Sequence, residues 1–235
     1  MAAMYIDIKN DILEKINSGI YEEGNVIPTE LELADFYKVS RPTIRQAVQL
    51  LVDDGYLEKR KKRGTIVCKR KIEQEFTQKI SSFETEMSEK GLVTDTNVIS
   101  LKVEYPSDDV CSALSIESSE KVYKLVRLRY IDKKPNVLVT TYIPYELFPE
   151  LKSVDFKKNR LYDYFSSQGN PVSRIKRKLE TIKADETVSD LLDIAIGEPV
   201  FYFHSYGYGN GGRIIEYSIS KYRGDMNYFV FDLYR

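Results

Sequence analysis

The chain has 235 residues, 42% of them hydrophobic and 30% charged, and a formal net charge of −1. This is enough apolar material for a buried core, which excludes global disorder, and enough length for one large domain or two small ones. No stretch approaches the roughly 20 apolar residues a membrane span needs, and the charged start Met4-Tyr5-Ile6-Asp7-Ile8-Lys9 is unlike a secretory signal, so a cytoplasmic protein is expected.

The first seventy-odd residues read as helices followed by a hairpin. Ile6, Ile8, Ile12, Leu13 and Ile16 mostly share one helical face, and Gly19 ends that helix. After the turn Gly24-Asn25-Val26-Ile27-Pro28, Thr29-Glu30-Leu31-Glu32 has the form of a capping box. Leu31, Leu33, Ala34 and Phe36 are the apolar residues of the short helix it opens. Tyr37-Lys38-Val39 is a tight turn. Ser40 is then the expected N-cap of a third helix, with Pro42 in its first turn, where a missing N–H costs little. Ile44, Ala47, Val48 and Leu51 are the buried stripe of that helix, and Gly55 is its C′ residue. Strands at 56–59 and 65–68 flank the basic tip Arg60-Lys61-Lys62-Arg63-Gly64, and no acid stands between Lys59 and Lys71.

Three helices and a basic hairpin in this order make a winged helix-turn-helix. The solvent face of the third helix carries Arg41, Thr43, Arg45, Gln46 and Gln49. Arginine and glutamine there can make two-pronged hydrogen bonds to guanine and adenine edges in the major groove. The wing cations can lie along phosphates or enter the minor groove, and Gly64 lets the backbone come close. A helical unit with arginines on a solvated face is common outside DNA-binding proteins. Cap, turn, polar face and basic hairpin in the right order and spacing favour DNA binding.

The pattern changes in the polar stretch Lys69 to Gln78. The expected domains are 1–71, the DNA-binding domain; 72–78, a linker; and 79–235, a second domain. In the latter, 93–104, 121–132, 137–143, 172–184, 199–207, 213–222 and 227–233 read as strands, and 80–90, 108–114, 160–167 and 185–192 as short helices. The glycine-rich segment 207–212 reads as a hairpin loop. This is an α+β domain with a largely antiparallel sheet. Arg127 and Arg129, two apart on a strand, point to one face and suit a carboxylate or phosphate, or else cross-strand salt bridges. Glu216, Ser218, Ser220 and Tyr222 share a strand face, where carboxylate and hydroxyls suit sugar hydroxyls, or a polar outer surface. His204 has no partner at triad spacing, so no catalytic residue is expected. Cys68 and Cys111 stand alone, so neither a metal, a cofactor nor a disulfide scaffold is expected. The clusters Lys157-Lys158 and Lys176-Arg177-Lys178 read as solvated surface.

The segments Ile27–Ala34, Val39–Ala47, Asp54–Leu57 and Arg63–Val67 resemble the GntR family of bacterial regulators. The resemblance implies DNA contacts at Ser40, Arg41, Pro42, Thr43 and Arg45 and at the wing residue Gly64. Leu31 stands where many members carry an arginine, which removes one contact. With the neighbouring polar and basic positions, the candidate DNA-binding set is Thr29, Ser40, Arg41, Pro42, Thr43, Arg45, Gln46, Lys62, Arg63 and Gly64.

The second part resembles the HutC subfamily and its UTRA effector domain. The resemblance rests on Ser82-Phe83-Glu84, Gly91-Leu92, Val122–Tyr130, Tyr142-Ile143-Pro144, Leu161–Phe165, Glu216-Tyr217-Ser218 and Tyr222–Asp225. It implies a chorismate lyase-like α+β fold. It also implies phosphate contacts at Arg127 and Arg129 in sugar-phosphate-binding members, assisted by Tyr162 and by Ser82-Phe83, with Glu216 and Tyr222 at the ligand. Amino-sugar-phosphate members carry a glutamate where Val139 stands and a serine where Arg160 stands, and Arg160 either adds a third cation or pairs with an acid. The candidate effector set is Ser82, Phe83, Arg127, Arg129, Arg160, Tyr162, Glu216 and Tyr222. The expected protein is a homodimeric repressor on inverted-repeat operator DNA, released by a small anionic effector such as a phosphorylated sugar. The alternatives are an effector-dependent activator and an enzyme using the chorismate lyase-like domain.

Overall fold

Ile44, Ala47, Val48 and Leu51 recur at helical spacing in α3 (Arg41–Asp53), and all four are buried. They pack on Ile8 and Ile12 of α1 (Met4–Asn17) and on Leu33 and Ala34 of α2 (Glu30–Tyr37). The core closes with Leu57 of β1 (Leu57–Arg60) and Val67 of β2 (Gly64–Val67). The computed structural model describes residues 4–61, 63–68, 71–74 and 80–231, and the backbone divides into two units, Met1–Ile72 and Glu73–Arg235.

Local chemistry sets the ends of these elements. The Thr29 hydroxyl accepts the Glu32 N–H at 3.3 Å while the Glu32 carboxylate accepts the Thr29 N–H at 2.7 Å, the reciprocal cap read from the sequence. Such a cap contributes about 1 kcal/mol. An eight-residue helix has one core face, so only Leu33 and Ala34 of α2 are buried, and Leu31 and Phe36 are exposed. Ser40 occupies the N-cap of α3, but its hydroxyl meets the Thr43 hydroxyl at 2.8 Å and caps no backbone N–H. The wing strands pair antiparallel with Arg60 opposite Gly64. Gly64 has φ +94, and a Cβ there would lie 2.8 Å from Val26 Cγ1, so both conformation and space require glycine.

In the second unit, Gln74 of β3 (Ile72–Gln74) lies within the stretch expected as linker, and the strand pairs with β10 (Asn227–Phe229). Gln74 Nε2 donates to Asn227 Oδ1 at 2.8 Å, and Asn136 Nδ2 donates to the same oxygen at 3.1 Å. The main sheet joins β4 (Thr94–Glu104), β5 (Val122–Ile131), β6 (Lys134–Pro144), β7 (Arg174–Lys183), β8 (Pro199–Tyr208) and β9 (Ile214–Arg223) in the order β4-β5-β6-β9-β8-β7. Every pairing in it is antiparallel. The expected strands and helices are present, most with shifted ends; β6 starts at Lys134 rather than 137, and β10 ends at Phe229, with 232–233 of its expected range outside the described residues.

The two faces of the sheet are covered differently. On one, α5 (Asp108–Leu114) and α7 (Glu186–Leu192) bury clusters around Leu114 and Val122, and around Leu128, Leu138 and Leu192. On the other, α6 (Leu161–Ser167) and the chain at 145–156 pack Phe165, Phe148 and Phe156 against Tyr123 and Leu125. α4 (Phe83–Glu89) follows its N-cap Ser82, whose hydroxyl accepts the Thr85 N–H at 3.1 Å. No helix among the described residues is long and apolar enough to cross a membrane.

Candidate functional site

The polar face of α3 and the wing are the first candidate surface. Arg41, Pro42, Arg45 and Gln46 are exposed, as are Arg63 and Gly64, while Lys62 lies outside the described residues. Arg45 donates through Nε to Glu30 Oε2 at 3.2 Å, and Lys59 Nζ lies 3.2 Å from Glu30 Oε1. One carboxylate of α2 thus ties the recognition helix to the wing. Burial works against ionisation of Glu30, but Lys59 and Arg45 hold its carboxyl below the usual range. Among the described residues only the Arg45 Nε is engaged, which leaves its terminal nitrogens available. The Thr29 hydroxyl is taken up by the cap, and Ser40 and Thr43 hold each other. Arg60 of the wing pairs with Glu58 at 2.9 Å.

The second candidate is a recess on the α6 face of the sheet, with a cavity volume of about 90 Å³. A single water needs on the order of 10–15 Å³, so there is room for a small molecule. Seven of the eight expected effector residues line it: Ser82, Phe83, Arg127, Arg129, Tyr162, Glu216 and Tyr222. Strand pairing brings them together. Arg127 of β5 stands opposite Val139 of β6, which stands opposite Ser220 of β9, and Ser220 lies between Ser218 and Tyr222 on one face.

Arg160 is the exception. It is the exposed N-cap residue of α6, does not line the recess, and donates to Thr85 Oγ1 at 3.0 Å with Asp163 at 4.0 Å. Its extended cap conformation and the acid three residues on direct it to the surface. The third guanidinium at the recess belongs instead to Arg177 of β7, partly buried between exposed Lys176 and Lys178. In sequence the three read as one solvated run; period-two alternation along β7 separates them. Glu84, Glu86, Ser205 and Phe203 also line the recess and were not expected there.

Arg127 is 4% exposed and donates from Nη2 to Thr141 Oγ1 at 3.3 Å. Thr141 Oγ1 lies 2.9 Å from Ser218 Oγ, and Ser218 in turn donates to Glu216. Burial, and then Arg129, push the Arg127 pKa down to about 9 against the pull of Glu216 and Glu84. Arg129 Nη2 is 3.8 Å from Glu84 Oε1, and its guanidinium lies 5.2 Å from the Phe83 ring centroid. Burial pushes the Tyr162 and Tyr222 hydroxyls up, in Tyr162 with help from Glu216, so both are neutral donors. Arg127 Nε, Arg129 Nε, Glu84 Oε2 and Glu216 Oε2 are buried without a hydrogen-bond partner. Buried orphans of both signs in one recess fit a bound polar molecule. Among the described residues no three His, Cys, Asp or Glu side chains gather as a metal site.

Comparison with known proteins agrees with both halves. Residues 4–67 match bacterial regulatory proteins of the gntR family, and residues 89–227 match the UTRA domain. The chain is 30% identical to the HTH-type transcriptional repressor NagR of Bacillus subtilis (strain 168) over 97% of its length and 93% of the relative's. It is also 30% identical to the mannosyl-D-glycerate transport/metabolism system repressor MngR of Escherichia coli (strain K12), over 94% of this chain and 92% of that one. The crystal structure of PhnF from Mycobacterium smegmatis has the same fold, with a TM-score of 0.80, 24% identity and 99% of each chain covered. The chain belongs to the GntR family of bacterial regulatory proteins and joins that family's DNA-binding helix-turn-helix to a UTRA domain.

Proposed function

We propose that the protein is a cytoplasmic transcriptional repressor, not an enzyme, that leaves its operator when a small hydroxyl-bearing anion binds the recess. The observation that carries this reading is the convergence of Arg127, Arg129 and Arg177 with Glu216 and the serines of β9 on one recess. The guanidinium groups suit an anion, and the carboxylate and hydroxyls suit sugar hydroxyls. Relatives named as repressors support the sign of regulation. Buried Val139 replaces a hydroxyl acceptor at the recess wall, which argues against an amino-sugar phosphate.

Arg41, Arg45 and Gln46 read base edges, and Arg63 and Gly64 meet the backbone. One short helix reads too few base pairs, so the working unit is a homodimer on an inverted repeat. Effector lowers operator affinity by the factor by which it prefers the DNA-free state. The test is a thermal-shift screen of sugar phosphates and sugar acids, followed by release of a fluorescent operator selected from random-sequence duplexes. A ligand at 100 times its Kd stabilises by about 2.7 kcal/mol and raises Tm by several degrees. A ligand that raises Tm but leaves the protein on DNA contradicts the repressor reading.

A further inference from the structure

We propose that Glu84 makes the recess selective for a singly charged, hydroxyl-bearing anion, a sugar carboxylate, over a phosphate ester. The inference rests on reading the recess as the effector site and names the class of anion it takes.

Arg129 is already matched. Glu84, in the first turn of α4, places Oε1 3.8 Å from Arg129 Nη2, and Phe83 covers the same guanidinium. Burial opposes ionisation of Glu84, but Arg129 holds its carboxyl below the usual range, so it is charged at neutral pH. Arg127 is partly spent as well, since its Nη2 donates into the hydroxyls that end on Glu216. Glu86 adds a third carboxylate at the recess, with Lys90 at 3.7 Å.

The unpartnered atoms of the recess set the chemistry it can bind. Two are donors, Arg127 Nε and Arg129 Nε, two are carboxylate acceptors, Glu84 Oε2 and Glu216 Oε2, and the fifth, the Ser81 hydroxyl, can do either. A phosphate ester carries about −1.5 to −2 at pH 7, and its terminal oxygens are all acceptors. It suits the two donors but sets a second negative charge against Glu84, where like charges repel. A sugar carboxylate carries a single charge, so its oxygens accept from the arginines at lower cost, while its hydroxyls donate to Glu84 and Glu216.

The experiment is calorimetric titration of the full-length protein and of Glu84→Gln with compounds matched except at C6. The probes are the hexuronates glucuronate, mannuronate and galacturonate, the corresponding hexose 6-phosphates, and the 6-sulfates. The sulfates are tetrahedral like phosphate but singly charged. The expected result is that the best-binding sugar binds as uronate or 6-sulfate about tenfold or more tightly than as 6-phosphate. Glu84→Gln then closes most of that gap by tightening the phosphate. A 6-phosphate that binds the unaltered protein as tightly as its uronate overturns the inference and leaves the effector reading standing, as does a gap that Glu84→Gln leaves unmoved. Silence from every probe counts against the anionic-carbohydrate reading itself. The comparison within the unaltered protein decides the class of anion even if the variant folds poorly.

Discussion

Arg127 and Glu216, on strands separated by β6, are joined through two buried hydroxyls. Arg127 donates to Thr141, Thr141 lies within hydrogen-bond distance of Ser218, and Ser218 donates to Glu216. With Ser218 donating to the carboxylate, its oxygen accepts from Thr141, and the Thr141 oxygen accepts from Arg127. Every link is satisfied in one direction, from cation to anion. The relay holds the two ends of the recess at a fixed separation without letting them neutralise each other directly.

Ser218→Ala removes the middle of that relay. It leaves the Thr141 proton and a Glu216 oxygen buried without partners, which costs about 1–3 kcal/mol. The expected outcome is a lower urea midpoint at unchanged m-value, together with weaker effector binding. An unchanged midpoint means that the relay contributes nothing.

Arg45→Ala is expected to weaken operator binding by about 1–3 kcal/mol at the base it reads, with the fold intact. Glu30→Gln is expected to cost less, because it loosens Arg45 and Lys59 without removing either. Fluorescence anisotropy against the operator and single-base variants checks both. Loss of affinity without loss of discrimination would assign Arg45 to the phosphates instead.

Gly64→Ala puts a Cβ 2.8 Å from Val26 Cγ1 on a backbone at φ +94. The combined strain is on the order of 1–3 kcal/mol. Lower thermal stability of the N-terminal unit, with weaker and less salt-dependent DNA binding, is the expected result, read by calorimetry and a salt titration.

The Asp11, Lys15 and Tyr37 cluster gives a pH signature. Hydrogen bonds from Lys15, and then Tyr37, hold the Asp11 carboxyl below its ordinary 3.8. A carboxyl depressed by folding stabilises above its unfolded pKa, and that contribution is lost as pH falls through and below 3.8. Burial, and then Asp11, push Tyr37 up to about 12, so its contribution is complete below pH 10 and lost as pH rises toward 12. Stability curves of Asp11→Asn against the unaltered protein are expected to differ in slope at both ends of the pH range. Parallel curves would mean that the cluster does not titrate with folding.

Legibility in the sequence followed the range of the interactions. The Thr29–Glu32 cap and the α3 stripe depend on residues three or four apart, and both appear as read. The face shared by Glu216, Ser218, Ser220 and Tyr222 follows from strand period, and it lines the recess. Arg177 was hidden because Lys176 and Lys178 made an alternating strand look like a basic run. Glu84 was hidden because a seven-residue helix gives little periodicity, and its meeting with Arg129 depends on contacts across 45 positions of sequence. Of the two outcomes open for Arg160, a third cation or a pair with an acid, the structure has the second, with Asp163, and the cap geometry and Thr85 that hold it there are not visible at position 160.

Control of DNA binding by the recess is tested by comparing the unaltered protein with the double variant Arg127→Ala, Arg129→Ala on the same labelled operator, titrated with the anion that most raises Tm. Equal operator affinity without ligand, release of the unaltered protein, and retention of the variant on DNA throughout are expected. Release of the double variant at the same ligand concentration would contradict control by the recess.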